Sequence, residues 1–148
     1  MMQLSGYNVI EYSNEGSQST ANEHVAMLSL EEFDTFFKIR KKSDFHGDFA
    51  HVGSPAHSIF ESRLIPALEK RVKPRDIICH PFGHAHSRLL ADFPNNHHVE
   101  TGIGYPTLMG TSFKIFESYA WMHYHQGREE RNGSHYEWVI PNYFDLDD

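Results

Sequence analysis

Histidine is the residue type that most invites a chemical reading. The chain has 148 residues and twelve histidines; His80, His84 and His86 fall close together and His97-His98 follow. An imidazole titrates near neutral pH, can bind a metal, and can hydrogen-bond a sugar or phosphate oxygen. The spacing argues against a metal. His84 and His86 are two apart, as are His123 and His125, so on a helix each pair diverges. There is no His-x-x-x-His with an intervening glutamate, and Cys79 is the single thiol. No metal is therefore expected, and no bound cofactor is assigned. Hydrogen-bonding histidines at a cleft and satisfied structural histidines are favoured over a bound metal.

Glycines supply the second signal. Gly83-His84 and Gly102-Ile103-Gly104 each lie between a strand candidate and a helix candidate, where backbone N–H groups can face an anion or a hydroxyl oxygen. Simple turn geometry is the favoured reading for any one of these glycines alone. The dinucleotide fingerprint fails because Thr107 stands where its third glycine belongs. No Gly-x-Ser-x-Gly elbow and no Gly-x-x-x-x-Gly-Lys phosphate loop occur either. Asp145-Leu146-Asp147 has the spacing of a metal-holding Asp-x-Asp, and reads more simply as a solvated acidic tail.

The elements that must position these residues alternate. Met1–Leu4 reads as the last turn of a helix, with Gly6 as its C′ residue. Tyr7 to Tyr12 reads as a strand, and Val25–Leu28 as a strand or extended connection. Ser29-Leu30-Glu31-Glu32 is a capping box for a helix carrying Phe33, Phe36 and Phe37. Lys38–Lys42 reads as a basic, solvated helix end, and 43–53 as loop. Ser54-Pro55 starts a helix through Phe60, Leu64, Leu68 and Val72, which Pro66 should kink or divide. Asp76–His80 reads as a strand buried on both faces, followed by a helix from about His84 to Asp92. His98–Thr101 is a further strand. Phe116, Tyr119, Ala120, His123 and Tyr124 predict a long helix from about Ser112, and Glu137–Ile140 is the last strand.

Strands alternating with helices imply a Rossmann-like α/β fold, a mainly parallel sheet with helices on both faces, in one domain spanning 1–148. Ligands of such sheets bind outside the carboxyl ends of the strands. That rule selects Ser13, Asn14 and Glu15, then His80, Gly83 and His84, then Glu100, Gly102, Gly104 and Tyr105, and finally Asn142. Glu100 and Tyr105 are expected to contact ligand hydroxyls. Gly102 and Gly104 would allow close backbone approach, and Glu117 would brace their loop. No catalytic residue is assigned.

The totals narrow the class. The formal charge is −7, with 39% hydrophobic and 22% charged residues. Protonating all twelve histidines would bring that charge to +5, so the surface field should respond to pH near 6. An acidic chain without a basic stripe is a poor nucleic-acid binder. No apolar run is long enough for a transmembrane segment, and the start lacks a secretory signal. A cytoplasmic location follows as an expectation, with Cys79 as a small buried residue.

The stretch Val99-Glu100-Thr101-Gly102-Ile103-Gly104-Tyr105, followed by Phe113-Lys114-Ile115-Phe116-Glu117-Ser118-Tyr119-Ala120-Trp121-Met122-His123, resembles microbial retaining glycosyltransferases of GT-B architecture (the glycosyl transferases group 1 type). Val139-Ile140-Pro141-Asn142-Tyr143-Phe144-Asp145 is similar to the Val-Ile-Pro-Asn-x-x-Asp segment closing their N-terminal domain. Gly6-Tyr7-x-Val9-Ile10, Glu15-Gly16-Ser17 and Glu23-His24-Val25 also fit.

The resemblance implies an N-terminal, acceptor-binding half of an enzyme that moves a sugar from a nucleotide-sugar to a carbohydrate or glycosylated acceptor. The donor would bind mainly a C-terminal domain expected downstream, with about 141–148 as the interdomain linker. It also implies that the family's first strand is lacking here. The alternative is a non-catalytic carbohydrate- or partner-binding domain derived from such an enzyme. A histidine-based metal or pH sensor is a third reading.

Overall fold

The computed structural model describes residues 6–37 and 52–141. The expectations for Met1–Leu4, Lys38–Lys42, most of the 43–53 loop, Asn142 and Asp145–Asp147 lie outside them. The chain is α/β with parallel-strand sheets and several helices, consistent with a Rossmann-like arrangement. It divides into two compact units, Met1–Val72 and Lys73–Asp148. Among the described residues, no helix is long and apolar enough to cross a membrane.

In the first unit β1 (Ile10–Ser13) pairs in parallel with β2 (Glu23–Ala26). Helix α1 (Leu30–Phe37) begins at the capping box: Glu32 N–H donates to Ser29 Oγ at 3.1 Å, and Ser29 N–H donates to Glu32 Oε2 at 2.9 Å. Helix α2 (Pro55–Glu69) begins at Ser54, whose Oγ accepts from His57 N–H. Pro66 does not divide it. The helix is already established N-terminal to the ring, and Leu64 and Leu68 on either side of it are buried. Arg63 joins the helices by a two-pronged ion pair to Glu32, both distances 2.7 Å, and by a bond to Met27 O.

The second unit holds a sheet of order β3-β4-β5-β6, all neighbours parallel: β3 (Ile77–Pro81), β4 (His97–Ile103), β5 (Phe113–Phe116) and β6 (Glu137–Val139). The strand β5 corrects the sequence reading, which ran a helix from Ser112. Helix α4 (Tyr119–Arg128) starts only after Ser118, whose Oγ accepts from Trp121 N–H. The helix expected over His84–Asp92 is instead a 3-10 turn, Gly83–His86, and a single α turn, α3 (Leu89–Asp92).

Each step from β3 to β6 goes to the next strand in the same direction, and right-handed connections of that kind gather on one face. Burial agrees. Ile78, His80, Glu100 and Phe116 are buried, while Ile77, Cys79, His97 and Trp138 are exposed. β3 is therefore covered on one face rather than two, and Cys79 is exposed rather than buried. The register of β4 slips between Glu100 and Ile103, where Gly102 takes φ +62°. This bulge turns Ile103 onto the face of Phe116, and both are fully buried.

Candidate functional site

The carboxyl ends of β3 and β4 gather most of the residues the sequence singles out. His80 and Glu100 are directly paired in register, so their side chains leave the same face of the sheet. Glu100 is fully buried (0% exposed). Its carboxylate accepts from Tyr105 Oη–H at 2.9 Å, and both its oxygens lie 3.0 Å from Met109 N–H. Tyr105 Oη in turn accepts from Gly83 N–H at 2.9 Å. One buried acid thus ties the turn after β3 to the connection after β4. Burial pushes the Tyr105 phenol well above its usual range; the Gly83 N–H opposes this, and the Glu100 carboxylate adds to it.

The connection from β4 to β5, residues 104–112, explains why an acid is buried there. Parallel neighbours usually need a crossover of roughly a dozen residues or more, most often a helix. This one is short, and its backbone groups cannot be satisfied within it. Side chains from three elements do so instead. Glu100 takes the Met109 N–H, His125 Nε2–H donates to Tyr105 O at 2.9 Å, Lys114 Nζ donates to Thr111 O at 2.6 Å, and Arg128 donates to Pro106 O.

Two glycines are required by this packing. A Cβ on Gly83 would lie 2.7 Å from Glu100 Cγ, and one on Gly104 would lie 2.2 Å from the Glu117 carboxyl carbon. Gly83 and Gly104 are thus the positions of close approach, with the Glu117 carboxyl resting on Gly104. Gly102 has open space around it, and its requirement is the left-handed backbone.

The histidines form a chain of their own. His98 Nε2 lies 2.9 Å from Phe93 O, which can only accept, so this nitrogen carries the proton. His98 Nδ1 is then the acceptor for His80 Nε2–H at 2.8 Å, and the two rings stack. His80 is 2% exposed. Burial holds its pKa down to about 4, and the neighbouring His98 and His86 add to this. His84 is half-buried with its ring tilted against Tyr105, and its enclosed Nδ1 has no partner among the described residues.

The structure therefore brings together His80, Gly83, His84, Glu100 and Tyr105, with Gly102 and Gly104 at the end of β4 and Glu117, just after β5, against Gly104; Asn142 lies outside the described residues. It gives Glu100 an interior role in place of the expected contact with ligand hydroxyls, because both carboxylate oxygens are engaged inside the fold. The sequence reading missed Phe82, exposed at the tip of β3, and the anchors His125, Lys114 and Arg128. The Pro81-Phe82-Gly83 run after a strand was the available signal for Phe82, a large aromatic in a turn. In the first unit, the ends of β1 and β2 open on a cavity of about 710 Å³ lined by Glu15, Leu28, Glu31, Phe36 and Arg63 among others. Glu15, expected at that edge, accepts there from Leu30 N–H. No protein-family model, no curated protein and no solved structure matches this chain.

Proposed function

We propose that the chain is the acceptor-binding portion of a GT-B type glycosyltransferase, which moves a sugar from a nucleotide-sugar to a carbohydrate or glycosylated acceptor. The observation that carries this reading is the tied rim at the carboxyl ends of β3 and β4, where open parallel sheets place their ligands. The sequence resemblance over Val99–Tyr105 and Phe113–His123 falls on that same rim and on the strand and helix behind it. In this reading Gly83, His84, Gly104 and Tyr105 shape the acceptor cleft from loops pinned by Glu100, and the donor is held chiefly by a further domain.

A second reading, a carbohydrate-binding domain without catalysis of its own, draws on one specific observation. The buried acid at the rim spends both oxygens on internal hydrogen bonds and the buried histidine commits its Nε2 to His98, so neither the Glu100 carboxylate nor His80 Nε2 is available as a base in this conformation. Incubation with radiolabelled nucleotide-sugars and mixed saccharide acceptors, with and without a donor domain supplied in trans, separates the two. Labelled product only when the donor domain is present is the outcome expected of an acceptor half. Saturable saccharide binding without product in either case favours the second reading, and neither binding nor product rejects both.

A further inference from the structure

Phe82 occupies an unfavourable position for its residue type. It follows directly on β3 with φ +58° and ψ +45°, the left-handed region that a bulky side chain rarely enters. Such a conformation persists only where the surrounding structure holds it, and Phe82 is 71% exposed. The following residue is a glycine whose N–H is already committed to Tyr105 Oη, so the turn itself is fixed without the aromatic ring. The ring is nevertheless held in place. It stacks on Tyr105, with centroids 6.2 Å apart and planes 26° apart, and Tyr105 is pinned by Gly83 and Glu100. His84 leans on the same tyrosine.

We infer that Phe82 is a stacking platform for a pyranose ring at the carboxyl end of β3. The inference deepens the carbohydrate-acceptor reading and rests on it. A sugar ring offers a face of polarised C–H bonds, which suits the electron-rich face of an aromatic ring, while its hydroxyls need polar partners at the edges. An aromatic stacked on a second aromatic, with the His84 imidazole tilted against that second ring, supplies both. The strain at Phe82 then has a reason. The left-handed turn goes with a ring that is 71% exposed and open to a ligand.

The test is an NMR saturation-transfer and shift titration of the whole chain with methyl α-mannopyranoside, methyl β-glucopyranoside and maltose, paired with melting curves. The wild type should bind at least one of these saturably, with the sugar C–H face nearest the protein. Phe82→Ala should weaken binding about fivefold or more, and Phe82→Trp should retain it. Phe82→Gly should lose binding as Phe82→Ala does while Tm rises by about 1–4 °C, since glycine removes the backbone strain. Saccharide binding that is indifferent to Phe82→Ala overturns the platform and leaves the carbohydrate reading standing. Absence of binding to all three sugars by the wild type overturns both.

Discussion

At the scale of single residues, the second unit is organised by one buried carboxylate. Glu100 meets only donors, from Tyr105 and Met109, so a carboxamide in its place would set an N–H₂ against an N–H or O–H. Glu100→Gln should therefore destabilise the fold by about 2–3 kcal/mol although size is unchanged. Chemical denaturation measures this, and a midpoint equal to wild type would contradict the anchoring role. His80 gives a pH signature. Its folded-state pKa of about 4 lies below the ordinary 6.5, so the folded form resists a proton that the unfolded form takes up. Its contribution is intact above pH 6.5, erodes as pH falls below that value, and is lost on approaching pH 4. The slope from this group is at most about 1.4 kcal/mol per pH unit. Urea midpoints from pH 7.5 to 4.5 should fall more steeply for wild type than for His80→Gln, and parallel profiles would count against a buried neutral His80.

At the scale of elements, local signals read well where the chain caps itself and poorly where tertiary packing decides. The Ser29–Glu32 capping box and the Ser54-Pro55 start were legible because each is settled within one turn. β5 was not. Phe116, Tyr119, Ala120 and His123 share helical spacing by accident, and Ser118, the true N-cap, lies between the strand residue and the others. The meeting of the loops after β3 and β4 was legible, since parallel topology brings them together, whereas Ser13, Asn14 and Glu15 follow a strand of a different sheet; the inward turn of Glu100 was not legible, because it follows from the short connection over residues 104–112. Gly102 is the element-scale test of that geometry. Its left-handed conformation reverses the facing of Ile103, so Gly102→Ala should cost about 1–2 kcal/mol with no steric clash to explain it. A neutral substitution, read by thermal melting, would mean that the bulge does not depend on glycine.

At the scale of the whole molecule, each unit carries its own parallel strands, and in the second unit the two faces of the sheet differ sharply. One holds the buried Ile78, Ile103 and Phe116 together with the Glu100 anchor; the other leaves Ile77, Phe113 and Trp138 exposed. In the proposed reading the ligand meets neither face but the edge between them, at Phe82, His84, Gly104 and Tyr105. The most direct measurement is a map of backbone amide shifts on the folded chain as a bound saccharide is titrated in. The account predicts saturable shifts concentrated at 82–84 and 104–105, the carboxyl ends of β3 and β4. Shifts concentrated instead around Asp76, Asn96 and Ser112, at the amino ends of the same sheet, would contradict it.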